Sequence, residues 1–192
     1  MTDGRRARGD LTRRTAARHA AMTATVSGLD GITVGGLAAD TGLSKSGILT
    51  VFPNREAIQL AAVAEAREIY IETVIRPAWG AERGRERLLA LFDRWVAYVK
   101  AETFPGGCFL ANTSVEFGHR EGPVADAVRA LKREWIELLE RELARAGVPD
   151  PQEAAFRIDA YFDAANTHLQ LFGDDTALDR ARRLAEDVLD RR

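Results

Sequence analysis

Apolar residues recur every three or four positions along most of this chain. No alternating apolar–polar run lasts long enough to compete, so helices are expected throughout. Residues 12–27 are mostly helix formers, with Ala16, Ala20 and Val26 among the apolar positions. Leu29-Asp30-Gly31 reads as a turn, and two short helical segments follow between Thr33 and Phe52. Pro53 disfavours helix at Phe52, and Asn54 can cap a long helix with Glu56 in its first turn and no breaker before Pro77. Residues 85–103 place Leu88, Leu89, Phe92, Trp95, Val96 and Val99 at helical spacing until Pro105-Gly106-Gly107 stops them. Residues 108–117, 124–146, 152–172 and 176–189 complete the series, separated by glycine- and proline-containing connections. The expectation is an all-α protein of about nine helices.

Composition narrows the class. A chain of 192 residues, 46% hydrophobic and 29% charged, has the balance of a globular protein able to bury a core. No apolar run approaches the roughly 20 residues that span a bilayer, and the arginine-rich start lacks the apolar stretch of a secretory signal. The single cysteine, Cys108, excludes an intrachain disulfide and suits a reducing cytoplasm. The expected location is cytoplasmic, with no membrane partner.

The net charge of −2 conceals an uneven distribution. Residues 1–60 carry Arg5, Arg6, Arg8, Arg13, Arg14, Arg18, Lys45 and Arg55 against Asp3, Asp10, Asp30, Asp40 and Glu56, while the acids exceed the bases in the remainder. A basic end on an acidic body points to a polyanion partner for the first segment alone. Residues 1–10, almost without apolar side chains, are expected to form a disordered arm.

The segment at residues 33–52 supplies the geometry for such a partner. Ala38 is small enough to let two helices cross closely, Gly42 can adopt the left-handed conformation that ends the first, and Ile48 fills the wedge between them. Thr33 and Ser44 are N-caps, one before each helix. Such a unit lays its second helix in the major groove of DNA.

The first 65 residues resemble the TetR family of bacterial transcription regulators. The resemblance rests on Ile32-Thr33-Val34, the Ala38/Gly42 helix pair, Leu43-Ser44-Lys45-Ser46-Gly47, and Phe52-Pro53-Asn54-Arg55-Glu56-Ala57-Ile58 opening a long helix. The stretch from Gly106-Gly107-Cys108-Phe109-Leu110 to Glu116-Phe117 looks like one branch of the family. The chain departs from the family's usual pattern in two respects. Leu49 and Val51 stand where many members carry Tyr and His for phosphate contacts, and Gly35-Gly36 opens the second helix where polar residues are usual. The resemblance implies a DNA-binding domain over residues 1–55, with an effector-binding and dimerisation domain over 56–192.

On the DNA side, Ser44, Lys45, Ser46 and Thr50 are the polar residues available on the recognition helix. Lys45 can donate to guanine or to a phosphate, and the Thr50 methyl can meet thymine. Thr33 can leave a helix N-terminus aimed at a phosphate. Arg55 resembles the family's basic residue at that position, and Arg13 and Arg14 can add backbone or minor-groove contacts. The implied partner is a double-stranded, pseudo-palindromic operator bound by a homodimer, most simply as a repressor.

In the body, the resemblance implies a small, largely apolar effector held among Trp95, Tyr98, Phe104, Phe109, Phe117, Trp135 and Phe162, with Asn112 and Asn166 as polar groups. It also implies a dimer surface on the last two helices, with Ile158, Tyr161, Ala165, Leu169, Leu178, Ala181 and Leu184 in its stripe. Plain core packing is the competing reading for every one of these residues.

Catalysis has little support. His19, His119 and His168 are the only histidines; Glu116 and His119 share a possible helix face, and Asp163 with His168 could join them as metal ligands. The chain has no HExxH, cysteine pair, nucleophile elbow or phosphate-cradling glycine loop. No enzyme activity, metal or cofactor is expected. The alternative to a regulator is a helical small-molecule-binding module whose DNA binding is weakened or lost, a reading motivated by Leu49 and Val51.

Overall fold

The computed structural model describes residues 2–190, with side chains from residue 7. Arg5 and Arg6 of the basic arm therefore lie outside the described side chains. The described residues form nine helices and no strand: α1 Thr2–Ser27, α2 Val34–Thr41, α3 Lys45–Val51, α4 Arg55–Tyr70, α5 Arg85–Lys100, α6 Phe109–Phe117, α7 Pro123–Arg145, α8 Pro151–Phe172 and α9 Thr176–Leu189. The α-helical class expected from periodicity is the one observed. At the start of the chain the structure differs from the expected arm, because α1 runs without interruption from Thr2. Arginine is a good helix former, and the helix continues through Gly4 and Gly9 without a proline to break it.

The chain forms two compact units, one from residues 1–68 and 104–129, the other from 69–103 and 130–192. These units divide the chain differently from the functional boundary expected near residue 55. Residues 104–129, on the sequence side of the effector domain, cluster with the N-terminal helices.

In the first unit, the buried edge of α1 is made of Ala16, Ala17, Ala20, Ala21 and Ala24. These small side chains let α2, α3 and α6 approach the α1 backbone closely. The turn before α6 also comes close at Gly106, where an added Cβ would lie 1.9 Å from the Thr25 carbonyl oxygen. Gly106 N–H donates to Thr25 Oγ1 at 3.1 Å, and Asn112 Nδ2 donates to the carbonyls of Thr25 (3.0 Å) and Gly106 (2.8 Å).

Glu116 secures a second junction. Its carboxylate accepts from Leu29 N–H at 2.8 Å and Asp30 N–H at 3.0 Å, capping the single 3-10 turn Leu29–Gly31 from α6. Asp30 in turn takes Arg120 and Arg55 as ion-pair partners, and Gln59 Nε2 lies 3.3 Å from its Oδ1. The hydrogen bond and charge of Arg120 hold the Asp30 carboxyl below its ordinary value of 3.8. The stabilisation from this carboxylate is complete above that value and is lost as the pH falls through the lower folded-state value. Thermal unfolding of the protein and of Asp30→Asn should therefore differ at pH 6, and the difference should start to shrink below about pH 4 and vanish only once the pH lies below the lowered folded-state value. A difference that stays constant from pH 6 down to acid unfolding would contradict the assignment.

The second unit opens at the end of α4 with a π turn, Ile71–Ile75, and a last helical turn, Arg76–Ala78, in which Arg76 N–H reaches the Ile71 carbonyl. Pro77 has no N–H to offer the Thr73 carbonyl, and the wider turn directly precedes it. Leu88, Leu91, Phe92, Leu139, Ile158 and Phe162 form the fully buried core. Asp150 caps α8 by accepting from Glu153 N–H at 3.0 Å, ahead of Pro151 in the first turn. Lys132 of α7 bonds Asp159 (2.8 Å) and Asp163 (3.1 Å) of α8. Burial opposes the lysine's charge, but the two carboxylates outweigh it and raise its pKa above the ordinary value.

Candidate nucleic-acid interface

The steric reading of residues 33–52 holds atom by atom. Thr33 Oγ1 accepts from Gly36 N–H at 2.9 Å and Ser44 Oγ from Gly47 N–H at 3.0 Å, so both expected caps are made. Gly42 closes α2 in the left-handed conformation at φ 69°, with its N–H on the Ala38 carbonyl. Leu37, Ile48 and Phe52 are buried and fix α3 by one side. Its other side, Lys45, Ser46, Leu49 and Thr50, is exposed.

Around this helix, Arg13 of α1 donates to the Val51 carbonyl at 2.8 Å and lies over the Phe52 ring at 4.8 Å. Arg13 thus braces the C-terminal end of α3 while remaining exposed itself. Arg14 is also exposed and, with Arg13, borders a groove between α1 and α4. The Lys45 ammonium leans towards Gly35, where a Cβ would stand 3.7 Å away. An alanine at Gly35, one of the two unexpected glycines, would meet the Lys45 side chain only in ordinary van der Waals contact. Arg55, expected to reach a phosphate, is bonded to the Asp30 carbonyl and paired with its carboxylate, although half its side chain is exposed.

The sequence profile described as "Tetracyclin repressor-like, C-terminal domain" matches residues 84–185. That is more than half of the chain, and it lies beyond the helix-turn-helix. The chain belongs to the TetR family of transcriptional regulators. A TetR regulator from Chloroflexus aurantiacus superimposes with a TM-score of 0.84 at 27% identity, covering 96% of both chains. One from Cytophaga hutchinsonii gives 0.82 at 22% identity, over 95% of this chain and 94% of that one. AibR, solved with isovaleryl coenzyme A and operator DNA, gives 0.66 at 19% identity, over 95% and 96%. No curated protein matches the sequence.

In this TetR-family chain the residues expected around an effector divide between the two units. Phe104, Phe109, Asn112 and Phe117 lie in the first, and Trp95, Tyr98, Trp135, Phe162 and Asn166 in the second. Asn112 is engaged in joining Thr25 to Gly106. Phe104 and Phe109 pack at 5.8 Å, ring to ring. In the second unit, Trp95 stacks on Phe162 at 4.4 Å, with Phe92 edge-on to Phe162 at 5.5 Å. Tyr70 meets Tyr98 and Trp135 edge-on at 5.5 and 5.7 Å.

The expected dimer stripe is also divided. Ile158, Ala165, Leu178 and Ala181 are buried within the chain where α8 meets α9. Tyr161 and Leu169 are half-buried and Leu184 is exposed. Periodicity marked the apolar side of each helix but not which part of it the neighbouring helix covers. The exposed apolar residues on α8 are Phe156, Leu171 and Phe172, which the stripe did not include.

Among the described residues no group of three or more His, Cys, Asp or Glu could hold a metal ion. Glu116 is instead the cap on Leu29 and Asp30, and Asp163 the partner of Lys132. No helix among the described residues is long and apolar enough to cross a membrane. Cys108 is buried at the start of α6.

Proposed function

We propose that this protein is a cytoplasmic, ligand-responsive repressor that binds a pseudo-palindromic operator as a homodimer. The observation that carries this reading is α3: Ile48 and Phe52 are sunk in the core, and a complete outward face bearing Lys45 is left open. A helix held on one side and bare on the other is the arrangement that enters a major groove. Lys45 contacts a base edge or phosphate, Ser44, Ser46 and Thr50 line the approach, and Thr33, Arg13, Arg14 and Arg55 lie towards the backbone. The solved AibR complex, containing both an acyl coenzyme A and operator DNA, supports pairing an effector with DNA control in this fold.

The effector is a largely apolar small molecule in the aromatic helices of residues 69–192. It acts by favouring one of two states that differ in operator affinity. Dimerisation uses α8 and α9, through Tyr161, Leu169 and Leu184 together with the exposed Phe172.

Lys45→Ala should weaken specific binding about 5- to 100-fold, the usual worth of a good base contact. Lys100→Ala, which removes only the 2.8 Å pair with Asp179, should leave it unchanged. Equal effects of the two would remove Lys45 from the interface. The second reading, a ligand-binding module without an operator, rests on Leu49 and Val51 replacing Tyr and His. A ligand-stabilised protein that retains no genomic DNA fragment would favour it.

A further inference from the structure

The outward face of α3 has two rows one helical turn long: Lys45 with Leu49, and Ser46 with Thr50. The hydroxyls of the second row are already in use. Thr50 Oγ1 donates to the Ser46 carbonyl at 2.8 Å, and Ser46 Oγ lies 3.3 Å from Ser44 Oγ, which itself caps Gly47 N–H. With its hydroxyl turned back into the helix, Thr50 has its methyl group left for a partner. Beside it, Leu49 is 52% exposed. The face therefore offers one cation and an apolar patch rather than a row of hydrogen-bond donors. In the major groove the apolar feature on a base edge is the C5 methyl of thymine.

We infer that Leu49, with the Thr50 methyl, is a specificity-determining residue that reads a thymine 5-methyl group in each operator half-site. The inference rests on the DNA-binding reading above and adds what the helix selects. Lys45 and Leu49 are about 6 Å apart along the helix axis, under two base steps. The thymine accordingly lies within about two base pairs of the position that Lys45 contacts.

The test uses the full-length protein and a duplex selected from a random pool. Each thymine is replaced in turn by deoxyuridine, which removes only the methyl, and affinity is measured at fixed salt. At one or two positions per half-site, uracil should weaken binding about 3- to 10-fold, the worth of one buried methyl. Leu49→Ala should bind the thymine duplex about as weakly as the wild type binds the uracil one, and should be indifferent to the replacement. Lys45→Ala should keep the uracil penalty. Because Leu49 is exposed, Leu49→Ala should unfold at the wild-type temperature. Uracil tolerated at every position, or an undiminished uracil penalty in Leu49→Ala, would overturn the inference while operator binding stands. A protein that selects no duplex would remove the DNA-binding reading, and this inference with it.

Discussion

Gly106→Ala should destabilise the protein by about 3 kcal/mol, at the upper end of what overpacking costs. The new Cβ would stand 1.9 Å from the Thr25 carbonyl oxygen and 2.4 Å from its carbon, so the contact is with backbone and no side-chain rotation relieves it. Moving the 104–108 turn away would also stretch the Gly106–Thr25 bond and both bonds of Asn112. In a chain of this size the midpoint of thermal unfolding should fall by about 6–12 °C. Gly9→Ala is the control, because its Cβ would meet nothing within 4 Å. Two variants that melt together would show that the approach of α1 to this turn carries no stability.

The second large effect is expected at Glu142, which is fully buried in α7. Its carboxylate accepts from Gly84 N–H at 2.8 Å, pairs with Arg145, and lies 3.6 Å from the buried Arg87. Arg87 is otherwise held by the carbonyls of Trp79 and Ala81 and by the Trp79 ring, 4.5 Å away. Its Nε has no hydrogen-bond partner, so the guanidinium depends heavily on the Glu142 carboxylate. Glu142→Ala should cost about 3–5 kcal/mol, because it leaves a buried cation without compensation. Glu142→Gln keeps an acceptor for Gly84 and should cost less. Denaturant unfolding of both variants measures this ordering. An alanine variant within about 1 kcal/mol of the wild type would mean that Arg87 is solvated after all.

Features set by residues close in sequence were legible before the structure. The caps at Thr33, Ser44 and Asn54, the left-handed Gly42 and the wedge of Ile48 each depend on neighbours within a few positions, and each is made as expected. Features set by distant partners were not. Glu116 read as a possible metal ligand, yet it caps a turn 87 residues away in sequence. Gly106 read as a helix breaker, and its second task, allowing two backbones to touch, has no local signature. The start of α1 shows the reverse failure: an arginine-rich composition suggested an arm, but no residue there stops a helix.

The candidate interface divides in the same way. Sequence identified the exposed face of α3 but assigned its hydroxyls to DNA. The structure turns the Thr50 and Ser44 hydroxyls to the helix and places Ser46 beside Ser44. Leu49, which read as the loss of a phosphate anchor, is instead the largest exposed apolar group on that face.

The central claim is that α3 and its surrounding arginines form a DNA-reading head. Fluorescence anisotropy with labelled DNA from immediately upstream of the protein's own coding sequence tests it most directly. Saturable binding is expected at about 50 mM salt, weakened by about three to five orders of magnitude at 200 mM as the phosphate contacts release counterions. No detectable binding to that DNA at the lower salt would contradict it.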